Sequence, residues 1–218
     1  MKKYLAEFIG TFALVFVGCG AIIVDHMNQG LIGSVGVALT FGFIVMAMIY
    51  SLGEISGAHF NPAVSFGFWK AGRLSIKDMW LYSFSQILAA FLAILLLKFL
   101  FPLSDTLGAT LPAASFIAQA FVIEFILTAI LMFVILSVST GAKEKGIMAG
   151  LAIGVTVALG AMFAGAISGA SMNPARSIAP AVISGHLEYL WIYLTAPFLG
   201  SILAVYLCKS CHAEGCCS

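Results

Sequence analysis

Charge is what this chain has least of. Of its 218 residues, 10 are Lys or Arg and 9 are Asp or Glu, together 9%, where an ordinary soluble domain carries roughly 25%. No basic stripe is present to neutralise phosphates, so nucleic-acid binding is excluded. Apolar residues make up 62%, which excludes solvated disorder. Proline is scarce, six in all, and two of the six directly follow Asn. Cysteine is nearly absent from the body of the chain: Cys19 stands alone, while Cys208, Cys211, Cys216 and Cys217 crowd the end. No His/Asp/Ser or metal-ligand constellation falls within the apolar stretches, so neither an enzyme nor a cofactor is expected. What remains is a polytopic protein embedded in a lipid bilayer.

Six apolar runs are long enough to cross ~30 Å of hydrocarbon with ~20 residues each: 4–24, 31–52, 79–101, 115–138, 147–165 and 188–208. The first is too long for a signal-peptide core and is followed by further spans. Two more runs, 55–69 and 167–183, are too short to cross, and each contains Asn-Pro-Ala. Basic residues fall on alternate connections. Lys2 and Lys3 precede the first span, and Lys70, Arg73 and Lys77 follow the second. Lys143 and Lys145 follow the fourth, and Lys209 follows the sixth. Connections 25–30 and 102–114 have no Lys or Arg. The positive-inside rule then puts both termini in the cytoplasm. Lys98 sits near a helix end and can snorkel. Arg176 lies inside a short apolar run, where an ionisable residue is a functional candidate by default.

The chain repeats itself. Glu7-Phe-Ile-Gly-Thr matches Glu124-Phe-Ile-Leu-Thr, and Ser56-Gly-Ala-His-Phe-Asn-Pro-Ala-Val-Ser matches Ser168-Gly-Ala-Ser-Met-Asn-Pro-Ala-Arg-Ser. Each half holds three spans and one short run. Three is odd, so the halves enter the membrane in opposite directions, an inverted repeat of the kind transport proteins use. Pro62 and Pro174 suit the first turn of a half-helix, with Asn61 and Asn173 as caps and extended backbone leading in. Non-helical backbone at this depth requires protein cover or a wet cavity. Glu7 and Glu124 each precede a Thr by four residues on one helix face, and a carboxylate there suits either a proton relay or a hydrogen-bonded brace.

These features together resemble the aquaporin and glycerol-facilitator family, the major intrinsic proteins, from residue 3 to about 208. The resemblance implies an all-α membrane protein of six transmembrane helices and two re-entrant half-helices. It would form a right-handed bundle, a single channel domain over 1–208 with halves of about 1–101 and 115–208 and a tail over 209–218. It implies a passive cell-membrane channel for water and small neutral solutes that excludes ions and protons, assembled as a homotetramer. Asn61, Pro62, Ala63, Asn173, Pro174 and Ala175 would form the pore centre. Carbonyls of Gly57, Ala58, His59, Gly169, Ala170 and Ser171 would line the path. Glu7 and Glu124 would brace the re-entrant loops.

The family's narrow filter maps by spacing to Phe41, twenty residues before Asn61, to Ala161 and Ala170, twelve and three before Asn173, and to Arg176, three after it. Water-selective relatives place His at the second position. Glycerol facilitators place Gly there, an aromatic at the third, and Asp after the arginine. Ala161, Ala170 and Ser177 fit neither set. The surrounding sequence resembles most the plant nodulin-like intrinsic proteins and their bacterial relatives, with Tyr193-Leu194 compatible. That branch passes glycerol, urea or uncharged metalloid acids such as boric and arsenous acid. Two alternatives stay open: a strictly water-selective channel closed by a side chain such as Met162 or Phe163, and an ion-coupled transporter using Glu7 or Glu124. A structural or adhesion role is disfavoured by the short loops. Glu54 is either a charge at the cytoplasmic mouth or a solvated helix end. Cys19 is expected to pack as a small hydrophobe. The tail set Cys208, Cys211, His212, Cys216 and Cys217 suits a soft metal or metalloid, lipidation, or no role, and a cytoplasmic tail is not expected to hold stable disulfides.

Overall fold

The computed structural model describes residues 1–139 and 143–211. Eight helices account for it: α1 (Lys2–Met27), α2 (Gly33–Ser56), α3 (Pro62–Lys70), α4 (Ile76–Leu100), α5 (Ile117–Val138), α6 (Lys143–Ser168), α7 (Pro174–Ser184) and α8 (Leu190–Cys211). Six of them are long and apolar enough to span a membrane. The two short ones, α3 and α7, each start at a proline.

The long helices outrun the apolar stretches that announce them. Hydropathy fades at Leu52 and Gly165, yet α2 continues to Ser56 and α6 to Ser168. Both stop at a glycine, Gly57 (φ 85°) and Gly169 (φ 81°), whose left-handed backbone ends a helix without the steric penalty of a Cβ. The short runs expected from 55 and from 167 therefore lose their first residues to the long helices.

Packing repeats between the halves. α1 lies against α2 and α4, and α5 lies against α6 and α8. α3 touches α4 and α8, while α7 touches α8 and α4. The pairs α2 with α6 and α3 with α7 map onto themselves. This is the contact pattern of two inverted halves interlocked about one axis. At the α2–α6 crossing the backbones nearly touch. A Cβ on Gly42 would lie 2.5 Å from the Gly154 carbonyl oxygen, and one on Gly154 would lie 2.6 Å from that of Gly42. Small residues that let backbones approach are the usual means of joining helices in lipid. The outer surface carries exposed Phe43, Trp80, Phe84, Phe99 and Phe163, as a lipid-facing surface requires. Lys98 is exposed near the end of α4.

At the end of α8, Cys211 is exposed with a free thiol. Cys208 is buried. His212, Cys216 and Cys217 lie outside the described residues. Among the described residues no group of three or more His, Cys, Asp or Glu is placed to hold a metal.

Candidate functional site

The segments before α3 and α7 run at membrane depth and must find partners for every backbone group. They are not extended. Gly57, Ala58 and Phe60 have φ of 85°, 52° and 51°, and Gly169, Ala170 and Met172 have 81°, 43° and 53°. For non-glycine residues such backbone costs about 1–3 kcal/mol each and persists only where the surroundings impose it.

Two glutamates impose it. Glu7 Oε1 accepts from His59 N at 2.9 Å and Ser56 Oγ at 2.7 Å, and its Oε2 accepts from Phe60 N and Gln86 Nε2, each at 2.7 Å. Glu124 Oε1 accepts from Ser171 N and Ser168 Oγ, each at 2.8 Å, and its Oε2 accepts from Met172 N at 2.7 Å. Ser56 and Ser168 complete the turns by accepting from Ala58 N and Ala170 N, each at 3.1 Å. Both carboxylates are fully buried, and hydrogen bonds to charged groups are worth about 1.5–3 kcal/mol each. The helix faces that carry the Glu residues are thus clamped onto the strained loops.

The half-helices meet end to end. Asn61 Oδ1 accepts from Ala63 N at 2.9 Å, and Asn173 Oδ1 accepts from Ala175 N at 3.0 Å and Arg176 N at 3.4 Å. Each amide also crosses to the other half: Asn61 Nδ2 donates to Met172 O at 2.7 Å, and Asn173 Nδ2 donates to Phe60 O at 2.9 Å. An amide nitrogen has two hydrogens, so each keeps one. Tyr82 and Tyr193 donate to the carbonyls of Ser56 and Ser168 at the outer ends of the loops. Between these anchors, no donor among the described residues reaches the carbonyls of Gly57, Ala58, His59, Gly169, Ala170 or Ser171.

A cavity of about 900 Å³ runs along this seam. Its apolar side is two matching stripes, Phe41, Val45 and Ile49 on α2 and Ile153, Val157 and Ala161 on α6, each at four-residue spacing on one helix face. Its polar side includes Gly57, Ala58, His59, Asn61, Ala170, Ser171 and Asn173. Gly169 does not border it and packs on Thr110 instead. Pro62, Ala63, Pro174 and Ala175 are buried behind the Asn caps. The His59 ring stacks on Phe68 at 4.4 Å, and its Nδ1 lies 3.1 Å from Ser65 Oγ, so its side chain serves the wall. Glu54 is exposed and borders one mouth with Arg73.

At the other end stand Phe41, Ala161, Ala170 and Arg176. The guanidinium carbon lies 5.2 Å from the centroid of the Phe41 ring, and Nη1 donates to Gly108 O at 2.8 Å. Arg176 is therefore both loop brace and cavity wall. Met162 and Phe163 are 38% and 66% exposed and do not border the cavity, which removes them as plugs. Cys19 is buried, with its thiol 3.9 Å from Gly108 O.

Ser56 and Ser168 lie inside the repeated segments, where the sequence alone gives them no role. The anchoring pair Tyr82 and Tyr193 was detectable, since they follow Asn61 and Asn173 by twenty-one and twenty residues. Gln86, Gly108 and Thr110 have no counterpart in the repeat and left no signal.

Comparison with known proteins agrees with this architecture. The model of the family "Major intrinsic protein" matches residues 1–208. Aquaporin NIP1-2 of Arabidopsis thaliana is 42% identical over 215 residues, covering 95% of this chain and 73% of that protein. Aquaporin NIP1-1 of Zea mays is 42% identical over 207 residues, covering 94% and 73%. The X-ray structure of the aquaglyceroporin from Plasmodium falciparum superposes with a TM-score of 0.84 at 28% identity, covering 95% of each chain. With six spanning helices, two facing half-helices and a cavity between them, this chain belongs to the major intrinsic protein family and is a membrane channel, not an enzyme, for water and small neutral solutes.

Proposed function

We propose that the channel passes neutral solutes larger than water, in the size class of glycerol, urea and uncharged metalloid acids, and excludes ions and protons. One observation carries the reading. The filter end of the cavity is walled by an aromatic ring, a guanidinium and two methyl groups, with the neighbouring bulky side chains turned outward. A polyol or trihydroxy acid lays its carbon or central atom against Phe41. Its hydroxyls meet Arg176 and the carbonyls of the re-entrant loops. Asn61 and Asn173 offer their remaining amide hydrogens at the centre. The two helix N-termini and Arg176 give the path a positive potential that opposes cations. The NIP aquaporins among its relatives and the aquaglyceroporin likeness favour the same size class.

The same reading puts both termini in the cytoplasm of a cell-membrane protein, treats 1–208 as one channel domain, and expects a homotetramer with a pore in each protomer. An ion-coupled cycle is disfavoured because Glu7 and Glu124 spend their oxygens on loop donors. The test is Ala161→His. Filling that corner with an imidazole suppresses glycerol and urea flux in proteoliposomes while water flux stays near the parent's. Solute flux undiminished in a normally assembled Ala161→His channel would place the discriminating step elsewhere.

A further inference from the structure

The connection between α4 and α5 (101–116) lies over the second re-entrant loop and is tied to it at three points. Arg176 Nη1 donates to Gly108 O at 2.8 Å, Thr110 Oγ1 donates to Ser177 Oγ at 2.8 Å, and Ala113 N donates to Ile167 O at 2.9 Å. The middle tie starts a chain of hydroxyls. Ser177 Oγ lies 2.5 Å from Ser171 Oγ, and Ser171 Oγ donates to Asn173 O at 2.9 Å while accepting from Asn173 N at 3.2 Å. With the Ser171 proton on the Asn173 carbonyl, Ser177 donates to Ser171 and accepts from Thr110, and the chain runs from Thr110 through Ser177 and Ser171 to the backbone of Asn173. All three hydroxyl residues are buried, where an unpaired polar group is costly.

The far end of this chain is the residue whose side chain caps α7 and receives Arg176 N. Ser177 directly follows Arg176, and Ser171 borders the cavity. Thr110 does not border it. The first half has no equivalent. There the loop hydroxyl position is His59, its ring nitrogen faces Ser65 Oγ, and Ser65 accepts from Gln86 of the membrane-spanning α4. Among the described residues, only the half that carries the arginine is oriented from a connecting loop.

We propose that Thr110 is a positioning residue for the selectivity filter, acting through Ser177 and Ser171 to hold the Asn173–Arg176 turn in register with Phe41. The proposal rests on the reading of Arg176 as part of the filter. Without the Thr110 hydroxyl, the Ser177 oxygen is left free to accept from Ser171, which draws the Ser171 proton off the Asn173 carbonyl and loosens the turn. Thr110→Val keeps the shape of the side chain and removes the donor. Thr110→Ser keeps the donor.

The test compares parent, Thr110→Val, Thr110→Ser and Arg176→Val in proteoliposomes. Water and glycerol permeabilities are read by stopped-flow light scattering, and proton leak by an entrapped pH dye. Loss of one buried hydrogen bond predicts that Thr110→Val shifts the glycerol-to-water permeability ratio about three- to tenfold. The shift has the same direction as in Arg176→Val, with a raised proton leak, and Thr110→Ser returns the parent ratio. A Thr110→Val channel with the parent ratio and leak overturns the proposal. So does a parallel fall in water and glycerol that leaves the ratio fixed, or a failure of Thr110→Ser to restore it. If Arg176→Val itself leaves ratio and leak unchanged, the filter reading fails, and that result is separate from any seen at Thr110.

Discussion

Glu124 shows how far a single residue reaches in this molecule. Its two oxygens hold two consecutive loop N–H groups and the Ser168 hydroxyl, and those groups hold Ala170 and Met172 in left-handed backbone. Glu124→Ala leaves three buried donors without an acceptor, a cost of at least about 3 kcal/mol if each forfeits ~1–3 kcal/mol. The expected outcome is a sharp loss of folded, detergent-stable channel. The loss of assembled channel should exceed any shift in the solute preference of the fraction that does assemble. Yield, thermal midpoint and flux per assembled channel measure this. A normally assembled Glu124→Ala channel with altered pH coupling would instead restore the proton-relay reading. The sequence presented this residue clearly, as a charge in an apolar run paired with a twin at Glu7. It did not present Thr110 or Gly108, because polar residues in a connecting loop are ordinary until the loop is seen to cover the site.

At the scale of elements, the joint between the halves is the α2–α6 crossing. Gly42 and Gly154 each leave room for the other's carbonyl, so a side chain at either position must force the helices apart. Gly154→Leu is expected to destabilise the fold by about 1–3 kcal/mol or more, the range for overpacking, lowering the thermal midpoint in detergent. Gly165→Ala on the same helix is the control: nothing lies within 4 Å of a Cβ there, and it should be neutral or slightly stabilising. Equal behaviour of the two variants would mean that the crossing is not a tight joint. Helix number and order were legible because hydropathy marks every span and proline marks the start of α3 and α7. The exact ends were not. They are set by Gly57 and Gly169 adopting positive φ, and hydropathy carries no trace of a dihedral angle. The expectation of extended backbone before each Asn failed for the same reason, since left-handed residues there depend on the buried glutamates that hold them.

For the whole molecule, the two halves interlock so that each re-entrant helix packs on the fourth and eighth helices alike, and the cavity lies along the seam between them. The inverted repeat was visible in the sequence, and the family resemblance, counted from the two Asn-Pro-Ala motifs, picked out Phe41, Ala161, Ala170 and Arg176, all of which line the cavity. Whether that part of the cavity was open was not visible. Met162 and Phe163 sit next to Ala161 in the chain, and only the helical phase of α6 turns them outward. The central claim is that this filter admits neutral solutes larger than water, passively. Stopped-flow light scattering on proteoliposomes, with water, glycerol, urea and boric acid run in parallel, tests it most directly. Fast water flux is expected together with flux of at least one of the three solutes well above the bare-lipid background, each stopping at equal concentration across the membrane. Fast water flux with all three solutes at the bare-lipid background would contradict it.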